Sequence, residues 1–360
     1  MAELNNMIGM LELISRPAFC VKDGQVGRLN QTAQSYFIGI GTPVADLLAT
    51  GAEEYADFSD GCLYLTLRLG YQTCGATVSN FAGFNVFVID QDSAQAELQA
   101  MALAARELRQ PQSTLLNTAD RLFPAIDQQS GSTGEQVAQM IRGIYQMQRL
   151  ILNMSDAARY IRENAVPRDV RDITAIFREV FRRAEDLICH TGTALHFTNL
   201  RTPLYCMVDE EKLERAIYNI LSNALKFTPK DGAIEARAFR RNNKVYLTVQ
   251  DNGSGVAENI RSSIYTRYLR QPSLEDGRLG IGLGMVMIRA AAAAHGGTVL
   301  MEHPADAGAR ITMTISIREG DGRQVRSPSF RVDYAGERDH ALLELSDVLP
   351  WELYESDIAN

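Results

Sequence analysis

Two side-chain amides and an ammonium group follow each other at helical spacing in the second half of the chain. They are Asn219, Asn223 and Lys226, which are four and three residues apart and therefore share one face of a helix. Apolar residues at similar spacing mark a second, buried face, namely Leu213, Ile217, Ile220, Leu221, Ala224 and Phe227. The stretch predicts a helix that projects its polar groups together toward whatever lies beside it.

A strand that ends in a glycine-rich turn follows this helix. The strand is predicted from three apolar residues that alternate with outward-facing ones, Val245, Leu247 and Val249. Asp251 stands at its end, where a carboxylate can accept a hydrogen bond from an exocyclic amine. Gly253 and Gly255 lack the Cβ atoms that would block an adenine ring. This combination predicts one end of a nucleotide pocket.

A second glycine run precedes another predicted helix. Gly280, Gly282, Leu283 and Gly284 belong to the sequence GIGLG, which opens the helical stretch MVMIRAAAAAH. The free backbone amides and the positive dipole end of a helix start suit phosphate oxygens. The second run therefore predicts the phosphate end of the same pocket.

The three motifs together resemble a known family. In order and spacing, NILSNALKFT, DNGSG and GIGLG are similar to the N, G1 and G2 boxes of the ATPase superfamily shared by gyrase, heat-shock chaperones and sensor histidine kinases. The resemblance implies ATP with Mg²⁺ as the ligand, so that Asn223 holds the ion, Asp251 contacts adenine and Lys226 lies near the phosphates. It also implies a pocket shaped by the glycines, Gly253, Gly255, Gly280, Gly282 and Gly284. The alternative is a domain that has kept the shape and lost the ligand.

Two further positions qualify this resemblance. Hydrolytic members of the superfamily carry a glutamate base where this chain has Asn219, and an amide cannot take a proton from water. That difference favours a kinase-type pocket over a fast ATPase. Residues 256–279 correspond to the family's lid, in which IYTRYLR resembles the F box and supplies Arg270 as a candidate phosphate ligand. The alternative for Arg270 is a solvated loop residue.

Two long helical seams precede the predicted ATPase domain. The first comprises Leu98, Met101, Ala105, Leu108, Gln112, Leu115, Ala119 and Leu122. The second comprises Val137, Met140, Ile144, Met147, Ile151, Met154, Ala158 and Ile161. They predict a helical hairpin that forms a four-helix bundle with a second copy, because nothing else in the chain is obviously shaped to cover both seams. The alternative is a lone hairpin packed on its own neighbours.

The first seam contains a motif with an unusual residue. RELRQP resembles the H box of histidine kinases, but Arg106 stands where the family has its phosphoacceptor histidine. All histidines lie outside the hairpin, at positions 190, 196, 295, 303 and 340. A guanidinium stays protonated and has no nucleophilic nitrogen, so ordinary autophosphorylation is predicted to be lost.

Glu107 and Gln110 are the remaining candidate catalytic residues of this motif. Gln110 stands one helical turn after Arg106, where phosphatase-competent members of the family orient a water molecule. A phosphatase acting on a regulator's aspartyl phosphate is therefore one alternative function. The competing interpretation is that Gln110 is a solvated residue before the kink at Pro111.

The first 92 residues predict a small α+β domain. A turn at Asp23 and Gly24 separates two short apolar strands, and Asn30 can cap a following helix. An antiparallel sheet is predicted from alternating leucines, Leu63, Leu65, Leu67 and Leu69. The order of these elements is similar to that of a PAS domain, a cytoplasmic sensor. Both a ligand-binding sensor and a ligand-free relay or dimerisation module fit the pattern.

Composition restricts the class of protein. The chain has 360 residues with a formal net charge of −8, which argues against a nucleic-acid partner. Its five cysteines form no CxxC or Cys/His metal pattern and indicate reduced thiols in the cytoplasm. We expect no membrane span, because no stretch approaches about 18 continuous apolar residues.

These observations predict an α+β multidomain protein. Its units are a PAS-like domain at 1–92, a helical dimerisation hairpin at 93–166, an α/β-sandwich ATP-binding domain at 167–318 and a linker with a docking tail at 319–360. We expect a cytoplasmic homodimer that binds Mg-ATP and regulates a partner histidine kinase or a response regulator. The alternatives are an aspartyl-phosphate phosphatase, a kinase with a non-standard acceptor, and a structural dimer that nucleotide merely stabilises.

Overall fold

The structure, a computed structural model, describes residues 11–81, 83–90, 105, 108, 112, 115, 131–162, 167, 169–253, 283–304, 308–319 and 338–354. The strands in this part of the chain are β1 Ala18–Lys22, β2 Gln25–Leu29, β3 Cys62–Leu69, β4 Gln72–Phe81, β5 Phe84–Ile89, β6 Val170–Asp172, β7 Ala194–Thr198, β8 Tyr205–Met207, β9 Ala233–Arg241, β10 Lys244–Asp251, β11 Val299–Glu302 and β12 Arg310–Ser316. The α-helices are α1 Val44–Leu47, α2 Ala52–Asp57, α3 Gly131–Arg162, α4 Ile173–Ile188, α5 Glu210–Phe227, α6 Leu283–Ala294 and α7 His340–Glu344. Three 3₁₀ segments are Gln31–Tyr36, Cys189–Thr191 and Trp351–Tyr354.

The N-terminal unit is an antiparallel sheet in the order β2-β1-β5-β4-β3. Asp23 and Gly24 both have positive φ and form the tight turn between β1 and β2, as predicted. Asn30 caps the 3₁₀ segment by accepting a hydrogen bond from the amide of Ala33, also as predicted. The alternating leucines of β3 are all buried. Local sequence signals therefore place these strands and turns correctly.

The second unit is an α/β layer whose sheet order is β11-β12-β10-β9-β7. Only β7 and β9 pair in parallel, and the other neighbours are antiparallel. The helix α4 begins at Asp172, whose carboxylate accepts from the amide of Thr174. Its apolar face and that of α5 share one core with the inward residues of β9, β10 and β12. This layer positions the predicted nucleotide motifs.

The two units share one continuous sheet of ten strands. Strand β3 pairs with β11 through Cys62, Leu63 and Tyr64, which lie opposite Met301, Leu300 and Val299. Nothing in the sequence pattern predicted this pairing. It fixes the N-terminal unit to the edge of the α/β layer.

The long helix α3 has two different faces. One is buried against α6 and against residues 338–354, and it includes Val137, Ile144 and Tyr145 of the main core. The other carries Met140 and Met147, which are exposed. The expectation that nothing else in the chain covers this seam is therefore wrong for one face, because the tail supplies a matching apolar surface. Within the described residues, no helix has the length and apolarity needed to cross a membrane.

Candidate nucleotide-binding site

The helix α5 is well determined by its own sequence. Asp209 caps its start by accepting from the amide of Lys212, and Glu210 and Glu211 in the first turn complement the helix dipole. Four of the predicted apolar residues are completely buried, Leu213, Ile217, Ile220 and Leu221. Lys226 lies in the last turn, where a cation is favourable. The core contacts of the apolar face thereby fix the direction of the polar face.

The two amides of α5 lie against the first turn of α6. A Cβ atom on Gly284 would lie 3.0 Å from Asn219 Oδ1 and 3.8 Å from Asn223 Nδ2. Asn223 donates from Nδ2 to the Met285 sulfur at 3.5 Å. The structure thus brings the N-box amides and the start of the helix after the second glycine run together. A larger residue than glycine at position 284 would crowd these amides.

Both ends of the Asn219 amide are engaged. Its Nδ2 donates to the backbone oxygen of Arg215 at 2.8 Å, and its Oδ1 accepts from Arg149 at 3.3 Å. The side chain is 1% exposed. An amide held in this way positions neighbouring groups and has no basic lone pair for a proton. The geometry is consistent with the predicted absence of a hydrolytic base at this position.

Asp251 lies at the end of β10, as the strand pattern predicted. Its Oδ1 accepts from the amides of Gly253 at 2.9 Å and Ala309 at 3.2 Å, so Oδ2 can accept from an amine of a ligand. Burial raises the pKa of Asp251, and these two amides act in the opposite direction. A Cβ on Gly253 would collide with the Phe227 carbonyl oxygen, so this turn can pass the end of α5 only with glycine.

Gly308 is a site residue that the sequence analysis missed. It has φ +88°, and a Cβ there would collide with the backbone oxygen of Asp251. The signal was a glycine just before the last strand of the layer, which is a common place for a turn. Gly308 allows the backbone before Ala309 to reach the aspartate.

Arg149 and Asp347 are the other missed residues, and they are 198 residues apart in the chain. Arg149 on α3 donates from Nη1 to Asp347 Oδ2 at 2.6 Å, and Lys226 donates to the same oxygen at 3.1 Å. Burial by itself would raise the pKa of Asp347, but the neighbouring Arg149 and Lys226 lower it on balance. Charged residues on an otherwise core-facing helix were the only sequence signal for Arg149.

A buried ionic cluster lies directly beside this contact. Arg215 is fully buried and donates to Glu344 Oε1 at 2.8 Å and to Asn153 Oδ1 at 2.8 Å, and it also pairs with Asp156. Glu344 is fully buried too and accepts from Arg149 at 3.4 Å. The two carboxylates and the amide satisfy the guanidinium groups, which a buried charge requires. The cluster joins α3, α5 and α7 into one body.

Several predicted site residues lie outside the described residues. They are Arg106, Glu107, Gln110, Gly255, Arg270, Gly280 and Gly282. Leu283 is described and packs with Ala157, Val286 and Met287 in a small apolar cluster between α6 and α3. Its side chain thus contacts the hairpin helix.

The described residues fit Mg²⁺ delivered with a nucleotide better than a protein-only metal site. No group of three or more His, Cys, Asp or Glu side chains in the described part of the chain could hold a metal ion. Mg²⁺ bound with a nucleotide needs only one or two protein oxygens besides phosphates and water. Asn223, whose nitrogen bonds Met285, can present its oxygen for this purpose.

Comparison with known proteins agrees with this geometry. Residues 208–319 match the family described as histidine kinase-, DNA gyrase B-, and HSP90-like ATPase. The matched part of the chain contains α5, β9, β10, α6, β11 and β12, which are the elements that carry the site.

Curated relatives of the chain are sensor kinases. The sensor protein KdpD of Clostridium acetobutylicum is 28% identical over 45% of this chain and 18% of its own length. The adaptive-response sensory kinase SasA of Synechococcus sp. is 27% identical over 42% of this chain and 40% of its own length. The sensor protein CiaH of Streptococcus pneumoniae is 24% identical over 63% of this chain and 51% of its own length. The chain therefore spans about half the length of these relatives or less. Its similarity is to part of these sensor proteins and this sensory kinase.

Proposed function

We propose that the protein binds Mg-ATP in this domain and acts in a two-component system as a regulator without a phosphoacceptor histidine of its own. The observation that carries the proposal is the convergence of three motifs, in which Asn219 and Asn223 lie against Gly284 while Asp251 ends the neighbouring strand. The match of residues 208–319 to ATP-binding relatives supports the same ligand.

The proposal gives a role to Asp251, Asn223 and Lys226. Asp251 Oδ2 accepts from the adenine amine, while Oδ1 stays bound to the amides of Gly253 and Ala309. Asn223 supplies an oxygen for Mg²⁺, and the first turn of α6 together with Lys226 faces the phosphates. The bound ion supplies charge neutralisation for the phosphates.

The loss of autophosphorylation rests on the sequence of the hairpin. Arg106 replaces the acceptor, and all five histidines lie outside the hairpin. His295 is 2% exposed and accepts from the amide of Asp209 at 3.0 Å, and His340 pairs with Glu214 at 3.1 Å. His190 is exposed in the 3₁₀ segment that follows α4, and His196 is exposed on the edge strand β7. The sequence thus supports a chain that binds nucleotide and lacks, in its hairpin, the histidine that would receive the phosphoryl group.

Assembly is part of the proposal. Met140, Met147 and Leu150 are 43%, 41% and 37% exposed along one face of α3. Exposed apolar side chains in such a row favour a helical partner, and the sequence pattern favours a second copy. The regulated partner would be a histidine-bearing kinase or a response regulator in the cytoplasm.

The decisive experiment uses γ-labelled ATP with Mg²⁺. We expect the wild-type protein to bind ATP in a filter assay and to show no acid-labile, base-stable label. The variant Arg106→His is expected to gain that label, because it restores the histidine at the acceptor position of the motif. An acid-labile label on the wild-type protein would overturn the regulatory proposal. Absence of ATP binding would overturn its nucleotide part.

A further inference from the structure

Asp347 brings the C-terminal segment directly to the predicted phosphate end of the site. Its Oδ2 accepts from Arg149 at 2.6 Å and from Lys226 at 3.1 Å. Lys226 follows Asn219 and Asn223 on the polar face of α5, and Arg149 itself donates to Asn219 Oδ1 at 3.3 Å. One carboxylate oxygen thus accepts from both cations that flank the N-box amides.

The segment around Asp347 is held firmly on both sides. Arg142 and Gln146 of α3 both donate to the backbone oxygen of Ser346, each at 3.1 Å. Glu344, three residues before Asp347, is fully buried and accepts a hydrogen bond from Arg215. Leu345 and Leu349 are also completely buried, so the segment is seated by apolar contacts as well. The position of Asp347 is therefore set by its neighbours in the fold.

Glu344 and Asp347 nevertheless differ in access to water. The Glu344 side chain is 0% exposed, whereas that of Asp347 is 35% exposed. Breaking the Glu344 contacts would leave charges buried without partners, which is strongly destabilising. If another anion took the place of the partly exposed Asp347 carboxylate, Arg149 and Lys226 would still have an anionic partner. Glu344 is suited to anchor the segment, and Asp347 is suited to be replaced.

The chemistry of the two cations matches a phosphate. A guanidinium forms paired hydrogen bonds with phosphate oxygens, and an ammonium adds a compact point charge. A carboxylate offers two acceptor oxygens and one charge, and so it is a weaker occupant than a terminal phosphate with three oxygens and a higher charge. The contact with Asn219 places this cation pair beside the start of α6.

We propose that Arg149 and Lys226 form the binding site for the terminal phosphate of the nucleotide, and that Asp347 occupies this site until the ligand displaces it. The inference rests on the proposed nucleotide-binding function and adds a phosphate ligand, Arg149, from the hairpin helix. It makes the C-terminal segment an intramolecular competitor of ATP. Binding of ATP is thereby coupled to movement of a segment that packs on α3.

The test compares two nucleotides that differ in their phosphates. Titration calorimetry with the full chain and Mg²⁺ would measure AMPPNP and AMP binding to wild type, Asp347→Asn and Asp347→Ala. We expect both variants to bind AMPPNP about 5- to 100-fold more tightly, the range of typical coupling between two sites. Affinity for AMP is expected to stay unchanged, because AMP lacks the terminal phosphate.

Two further variants make the comparison specific. Glu352→Gln removes one charge from an exposed position of the same segment and should leave both affinities at the wild-type value. Arg149→Gln should weaken AMPPNP binding relative to AMP binding, and the ratio of the two affinities is meaningful even in a destabilised variant.

Hydrogen exchange of residues 340–350 should increase on AMPPNP binding and should stay the same with AMP.

The outcomes separate the two proposals. Equal AMPPNP affinity in wild type and both Asp347 variants would overturn the inference and leave nucleotide binding intact. Weaker AMPPNP binding in those variants would also overturn it, because Asp347 would then assist the ligand. Failure of every variant to bind either nucleotide would overturn the proposed function together with the inference.

Discussion

At the scale of single residues, Asp251 has two tasks on one carboxylate. Oδ1 holds the turn by accepting from the amides of Gly253 and Ala309. Oδ2 is directed to the ligand in the proposed function. The aspartate is 6% exposed, and its carboxylate is held mainly by backbone amides. Gly253 and Gly308 permit these contacts because a Cβ at either position would collide with a backbone oxygen.

The variant Asp251→Asn separates the two tasks. One amide atom can still accept from the backbone, but the other now donates and faces the donating amine of adenine. We expect affinity for ATP and AMP to fall by about 10- to 100-fold, because a hydrogen bond to a charged group contributes about 1.5–3 kcal/mol. Calorimetric titration measures the change. Asp186→Asn on the exposed face of α4 is the control, and equal affinities in the two variants would contradict the assignment.

At the scale of elements, α3 has two faces with apolar residues. Its buried face includes Val137, Ile141 and Ile144, which pack in the core of the ATPase domain and the tail. Tyr145 on the same face contacts Tyr354 edge to face, with ring centres 5.3 Å apart. The opposite face carries Met140 and Met147, exposed and seven residues apart. A helix with two apolar faces is suited to connect a docking surface with a nucleotide site.

A charge on the exposed face of α3 should interfere with assembly. In Met147→Glu the carboxylate would be buried without a partner in a helical bundle, so we expect the dimer dissociation constant to rise at least about tenfold. Light scattering coupled to size exclusion measures this. Tyr71→Glu is the control, because Tyr71 is fully exposed at the turn between β3 and β4. A monomeric wild type, or a dimer that both variants weaken equally, would contradict the prediction.

At the scale of the whole molecule, the N-terminal unit and the ATPase domain share one sheet. Besides the β3–β11 pairing, Lys244 bonds Glu54 at 2.7 Å across the junction. Arg289 of α6 pairs with Asp90 at 3.0 Å and lies 4.8 Å from the Tyr64 ring centre. The helix that begins at the nucleotide site is therefore tied to the last described residue before the hairpin. A change in either unit can reach the other through these contacts.

Alanine variants of two glycines test the β3–β11 junction between the two units. Gly61 and Gly70 flank β3, and both have positive φ, so alanine at either position is strained by about 1–2 kcal/mol. A Cβ at Gly61 would also collide with the Met301 carbonyl oxygen, whereas Gly70 has open space around it. We expect Gly61→Ala to lower the free energy of unfolding by about 1–3 kcal/mol more than Gly70→Ala. Urea unfolding measures the difference.

Hydrogen exchange locates the effect of the same pair of variants. In Gly61→Ala the amides of residues 62–64 and 299–301 should exchange faster, because these residues form the β3–β11 pairing. In Gly70→Ala their protection should match that of the wild-type protein. Equal stability and equal protection in the two variants would show that the junction tolerates the extra atom.

The sequence by itself determined the local elements and their faces. The buried face of α5, the strand that ends at Asp251, the turn at Asp23 and Gly24, and the cap at Asn30 all agree with the structure. Each depends on residues within a few positions of one another, so periodicity and capping chemistry are enough to predict it. The meeting of the N-box and G2-box motifs was implied by family resemblance.

Only the tertiary structure decided which elements meet. Arg149 and Asp347 are 198 residues apart in the chain, and the pairing of β3 with β11 joins residues near 63 to residues near 300. Such contacts leave no periodic signal, because a charged residue on a core-facing helix or an edge strand is compatible with many partners. The apolar tail had the composition of a docking segment, but its docking place was set by the buried cluster of Arg215 and Glu344. Burial of charge requires a specific partner in space, and that partner is known only once the chain has folded.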